Sequence, residues 1–139
     1  MRKLGRIKSL LFVCFANICR SPMAEGLAKK ILDNKVKIES AGLIAVIKST
    51  AKEAVEVLQN LYGIDISNHC PRSVSDLDLN RFDLIIGLDS VVSSNLHIGY
   101  PHLSDKILLW EIEDPYGKDN KAYRETAEKI QVHIKKYLT

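Results

Sequence analysis

The stretch Leu10-Leu11-Phe12-Val13-Cys14-Phe15-Ala16-Asn17-Ile18-Cys19-Arg20-Ser21-Pro22 decides how this chain is expected to fold. Leu10 to Val13 is a short apolar run of the kind that forms a buried parallel strand. Ser21 followed by Pro22 reads as a helix start, serine as N-cap and proline at the first helical position. The residues between form a loop that leaves a strand and ends at a helix N-terminus. There the free backbone N–H groups and the positive end of the helix dipole favour a bound anion and the thiolate form of a nearby cysteine. Arg20, with five residues between it and Cys14, adds a planar fork of donors suited to two phosphate oxygens.

The spacing alone is weak. With three cysteines in 139 residues, Cys-x5-Arg arises by chance in roughly one chain in eight. The flanking residues carry the weight: Asn17 tolerates a left-handed loop conformation, and Ser21 can cap the helix and donate to a thiolate. The alternative is a strand ending in a buried cysteine, with Arg20 a solvated surface residue.

A length of 139 residues is read as one domain, residues 1–139, with no linker, charge block or internal repeat. The net charge of +3 is too small and too dispersed to point to nucleic acid. Arg2, Lys3, Arg6 and Lys8 before Leu10 to Val13 imitate a secretory signal, but the apolar run is short and no small-residue cleavage site follows. With no span of about twenty apolar residues, no membrane partner is expected, and a cytoplasmic, soluble protein is. An odd number of cysteines favours a reducing compartment.

Downstream, Met23, Ala24, Leu27, Ala28, Ile31 and Leu32 recur at helical spacing opposite charged residues. Val36 to Ser40 reads as a second strand. Thr50 with Glu53 reads as a capping box for a helix stopped by Gly63. Asp83 to Leu88 is a central-strand run, Ser90 to Leu96 a short helix, and Lys106 to Trp110 a fourth strand. Asn120 is expected to cap a last helix. Such alternation predicts a parallel sheet with right-handed crossovers and a ligand site beyond the carboxyl ends of its strands, where Cys14 and Asp114 can converge.

Cys14, Asn17, Cys19, Arg20, Ser21 and Pro22 meet the signature C-x-G-N-x-C-R-S-P, and here the chain resembles the low-molecular-weight protein tyrosine phosphatase family. The resemblance continues through Met23-Ala24-Glu25, Glu39-Ser40-Ala41-Gly42, Gly63-Ile64-Asp65, Asn68-His69, Phe82-Asp83-Leu84-Ile85-Ile86 and Asp114-Pro115-Tyr116-Gly117. It implies an α/β three-layer sandwich whose four-stranded parallel sheet, doubly wound in the order 2-1-3-4, has helices on both faces. Ala16 stands where the family has glycine, so either the loop there needs no positive φ or Ala16 carries modest strain.

Hydrolysis of a phosphate monoester needs an in-line nucleophile, neutralised equatorial oxygens and a protonated leaving group. Cys14 suits the first task, through a phosphocysteine. The backbone of Phe15, Ala16, Asn17, Ile18 and Cys19, with Arg20 and Ser21, suits the second. The resemblance implies Asp114 as the acid, although Asp-Pro by itself more commonly just begins a turn. It also implies a supporting network of Ser21, Asn17, Ser40 and His69. Tyr116 can stack on an aromatic leaving group, and Ile18 leaves room for a phenyl phosphate. Cys19 has two readings: a small buried hydrophobe, or a thiol that traps oxidised Cys14 as a disulfide. Cys70 has no assigned role.

Leu43 to Ser49 looks short for the family and offers Ile44, Val46 and Ile47 in place of an aromatic. The resemblance thus implies a protein tyrosine phosphatase needing no metal or other cofactor, with phosphoprotein substrates and inorganic phosphate as product; the sequence does not fix the oligomeric state, and a monomer is the expectation. Two rivals share the fold. A protein arginine phosphatase has threonine at the position of Ile18, and a thiol-dependent arsenate reductase wants a pair of later cysteines where this chain has only Cys70. A zinc site from Cys14, Cys19, His69 and Cys70 is a further alternative, against which Arg20 places a cation.

Overall fold

The computed structural model describes residues 7–139, so Arg2, Lys3 and Arg6 lie outside the described residues. Four strands pair in the order β2-β1-β3-β4, all parallel: β1 (Ser9–Cys14), β2 (Lys37–Gly42), β3 (Leu84–Gly87) and β4 (Ile107–Leu109). The helices are α1 (Arg20–Ile31), α2 (Lys52–Tyr62), α3 (Ser90–Gly99) and α4 (Asn120–Tyr137). Both faces of β1 are buried, and its side chains divide by the two-residue strand period. Leu10, Phe12 and Cys14 join Met23, Leu27, Leu58 and Tyr123 of α1, α2 and α4. Leu11 and Val13 join Val92 and Leu96 of α3 on the opposite face. The result is the predicted three-layer α/β sandwich in the predicted strand order.

Several boundaries move for identifiable reasons. Ser21 is not the cap of α1: the helix begins at Arg20 with Cys19 as N-cap, which puts Pro22 third rather than first, and the Ser21 hydroxyl is engaged elsewhere. β2 runs on to Gly42 instead of ending at Ser40, because small Ala41 and Gly42 pair with Val13 and Cys14. Ala51 caps α2 without a side-chain bond, since the Thr50 hydroxyl donates to the His69 carbonyl at 3.3 Å; Gly63 ends the helix as expected. Asp119, not Asn120, caps α4, its carboxylate accepting from the Ala122 N–H at 3.1 Å. α3 extends to Gly99, while β3 and β4 are trimmed at both ends.

Candidate active site

β1 delivers Cys14 to its carboxyl end, and residues 15–19 curl from it into α1. The loop lies directly on β2. A Cβ at Gly42 would come within 2.8 Å of the Ala16 carbonyl carbon and the Phe15 oxygen, so only glycine leaves room. Asn17 has φ 59° and is the only non-glycine residue in the left-handed region among the described residues. Ala16 therefore needs no positive φ. The strain at Asn17 is held by its own side chain, which is fully buried.

That side chain fixes the direction of a whole network. Asn17 Oδ1 faces the backbone N–H of Arg72 at 3.1 Å, and a backbone N–H only donates, so the oxygen position is determined. Asn17 Nδ2 then donates to Ser21 Oγ at 2.7 Å and to Ser40 Oγ at 3.0 Å. Ser40 in turn donates to Glu25 Oε1 at 2.6 Å. Ser21 Oγ, already accepting from Asn17, keeps one proton for either Cys14 Sγ at 2.9 Å or the Ala41 carbonyl at 3.4 Å. The shorter contact is to sulfur, so the network aims a hydroxyl at Cys14. His69 Nε2, 3.0 Å from the same Asn17 oxygen, must carry its hydrogen. Burial holds His69 below the usual histidine range and outweighs the pull of Glu25, which fits a neutral ring.

Arg20 is almost fully buried, and its Nη1 is engaged by three acceptors. These are Asp89 Oδ2 at 2.8 Å, the Ile112 carbonyl at 3.0 Å and the Leu88 carbonyl at 3.3 Å. The guanidinium is thereby anchored from behind, and its Nη2 lies 3.8 Å from Asp114 Oδ2. Asp89 also caps α3, accepting from Val92 N–H at 2.7 Å. Burial would raise its carboxyl, but the Val92 amide and Arg20 overcome this and hold it below the usual carboxylate range. Neither Asp89 nor Glu25 was assigned a role from the sequence. The signals were available: an aspartate between a strand and the serine that opens a helix, and a glutamate one helical turn after Ser21.

Asp114 belongs to a turn in which its Oδ1 accepts from the Tyr116 N–H at 3.0 Å and Lys118 N–H donates to the Pro115 carbonyl at 2.9 Å. Gly117, at φ 81°, supplies the left-handed residue that this type II geometry requires. Cys14, Phe15, Ala16, Ile18, Cys19, Arg20, Asp114 and Tyr116 line one cleft of about 210 Å³, together with Ile44, Val46 and Ile47. Asn17 and Ser21 do not line it; they sit behind the loop, as do Ser40 and His69. The backbone N–H groups of residues 16–19 donate to no carbonyl among the described residues. The cleft thus unites a thiol, a guanidinium and a carboxyl group, beside a loop whose amides are not used by the fold's backbone bonds.

The other two thiols differ from Cys14. Cys19 is buried and 3.3 Å from the Tyr123 hydroxyl; burial pushes its pKa up to about 12 despite that hydrogen bond. Cys70 is exposed, against the Asn68 carbonyl at 3.8 Å. The four residues weighed as a zinc set do not come together, and no cluster of three or more His, Cys, Asp or Glu suited to a metal occurs among the described residues. Nor is any described helix long and apolar enough to cross a membrane.

A buried parallel sheet carrying a cysteine and an arginine on a strand-to-helix loop defines a class of phosphate-binding α/β enzymes. The model of the family described as Low molecular weight phosphotyrosine protein phosphatase matches residues 9–139, and the chain belongs to that family. A low molecular weight protein tyrosine phosphatase from T. tengcongensis superposes with a TM-score of 0.86 at 38% identity, covering 92% of this chain and 95% of that one. A probable low molecular weight protein-tyrosine-phosphatase EpsP of Ralstonia nicotianae is 36% identical, covering 90% of each chain. Arsenate reductase 2 of Staphylococcus haemolyticus is 33% identical, over 95% of this chain and 97% of that protein.

Proposed function

We propose that this protein hydrolyses phosphotyrosine in proteins, and small aryl phosphates, through a phosphocysteine on Cys14. The observation that carries the reading is the joining of Cys14, Arg20 and Asp114 in one cleft, with Arg20 anchored by Asp89 so that Nη2 faces Asp114. Cys14 thiolate attacks phosphorus while the bond to the tyrosyl oxygen breaks. Arg20 and the loop amides hold the three equatorial oxygens, and Asp114 gives its proton to the departing phenolate. Water then attacks the phosphocysteine, its proton passes to the Asp114 carboxylate, and the thiolate leaves as phosphate is released. Ser21, donating to Cys14 Sγ at 2.9 Å, stabilises the thiolate at the start and as leaving group.

Ile18, an apolar wall of the cleft, favours an aromatic phosphate over phosphoarginine. The arsenate-reductase relatives support a second chemistry, which needs later thiols to carry away an oxidising equivalent. Here Cys19 is buried and held protonated, and Cys70 is the only other cysteine. The test is p-nitrophenyl phosphate hydrolysis in EDTA. Wild type is expected to turn over and Cys14→Ser to lose essentially all activity; undiminished activity in Cys14→Ser would sink the mechanism. Arsenate reduction with thioredoxin or glutathione is expected to be absent.

A further inference from the structure

We infer that the apolar rim formed by Phe15, Ile44, Val46 and Ile47 selects phosphoprotein substrates with aliphatic side chains next to the phosphorylated residue. The inference rests on the phosphatase reading above. Exposed fractions of 53%, 51%, 72% and 39% leave these four open to solvent around the mouth of the cleft. Single exposed apolar residues are ordinary, but a contiguous group rimming a site marks an interaction surface.

Three observations identify the occupant. The rim is built in advance: Leu43 N–H donates to the Cys14 carbonyl and Ile44 N–H to the Phe15 carbonyl, each at 3.1 Å, and Ala45 N–H to Ser73 Oγ at 2.8 Å. Little ordering cost remains to be met on binding. The cleft, at about 210 Å³, is smaller than the ~300–1,000 Å³ that encloses a drug-sized ligand. It takes the phosphoryl group and its ring, so the flanking residues of the substrate must pass over the rim. Finally, Arg20 is the only basic side chain lining the cleft, and its guanidinium is already committed to Asp89 and to the phosphoryl oxygens. An acidic flank would lose water against an aliphatic wall with no partner there, whereas an aliphatic flank gains by burial. Lys48, exposed in the adjoining segment, does not line the cleft.

The test uses one peptide frame carrying phosphotyrosine or phosphoarginine, with both flanking residues set to Leu, Ser or Asp, and compares kcat/KM. The Leu frame is expected to exceed the Ser frame by about tenfold, with Asp lowest. In Ile44→Ser/Val46→Ser, whose altered side chains are solvent-exposed, that ratio should fall to within about twofold. A wild-type Leu:Ser ratio within about twofold, a preferred Asp frame, or a ratio kept by the double variant overturns the rim inference and leaves the phosphatase reading standing. Cleavage of phosphoarginine in place of phosphotyrosine overturns the phosphotyrosine reading, and the Leu:Ser ratio then still decides the rim. Hydrolysis of p-nitrophenyl phosphate with no peptide cleaved overturns both.

Discussion

The two halves of the site are built to different standards. Behind the phosphate loop, Asn17, Ser21 and Ser40 are fully buried and joined in one directed network, and Arg20 is tied to three acceptors. Across the cleft, Asp114 is half exposed on a surface turn. Charge on transferring oxygens is best met by donors fixed before substrate arrives, because none of the binding energy then goes into reorganisation. A proton donor has only to come within reach of one oxygen, and its contacts tighten once substrate is bound. In the proposed mechanism the loop and Arg20 thus form a cradle fixed in advance, and Asp114 an acid that can adjust.

The comparison breaks most completely at Arg20. Arg20→Lys keeps the charge but cannot serve Asp89, Ile112 and Leu88 while also presenting a fork; kcat/KM for p-nitrophenyl phosphate should fall by about 10³-fold. Asp114→Asn tests the other half, and kcat/KM across leaving groups, which reports the steps up to departure of the phenol, reads it. The expected loss is about 10²-fold for phenyl phosphate and far less for p-nitrophenyl phosphate, whose leaving group needs little protonation. Equal losses for both would remove Asp114 from the acid role. Folding should show the opposite asymmetry: Asn17→Ala strands several buried partners and should cost about 2 kcal/mol in chemical denaturation, while Asp114→Asn stays within about 0.5 kcal/mol.

The smallest effect is a pH dependence confined to the cradle. The unfolded chain protonates His69 near its ordinary value of about 6.5, whereas burial in the fold holds that proton off until lower pH. The stabilisation is complete above the unfolded value and is lost as pH falls through the folded one. His69→Gln should therefore flatten part of the decline in Tm between about pH 7 and pH 5, and an unchanged difference between the two proteins would remove His69 from it.

The sheet was readable because β1 and β3 are apolar on both faces, a pattern only a covered parallel sheet accommodates. The placement of Cys14 and Arg20 at the two ends of one strand-to-helix loop was readable from the apolar run before it and the helical spacing after it. What escaped was set by tertiary contacts. Ser21 and Thr50 look like caps, yet Cys14 and Asn17 claim one hydroxyl and the His69 carbonyl accepts from the other. Asp89 escaped because its cap role and its anchoring of Arg20 use different carboxylate oxygens, and only the second requires knowing that β1 and β3 are neighbours.

Gly42 has a consequence for how such a protein can change. It forms the seat of the phosphate loop and immediately precedes Leu43 to Ala45, whose amides are fastened to Cys14, Phe15 and Ser73. Side chains at 44, 46 and 47 can be exchanged without disturbing that seam. An insertion or deletion between 42 and 45 would shift the backbone against Cys14 itself. Changes of length are therefore tolerated only beyond Ala45, where no such fastening to residues 14 and 15 holds the backbone, and changes of side chain at 44, 46 and 47.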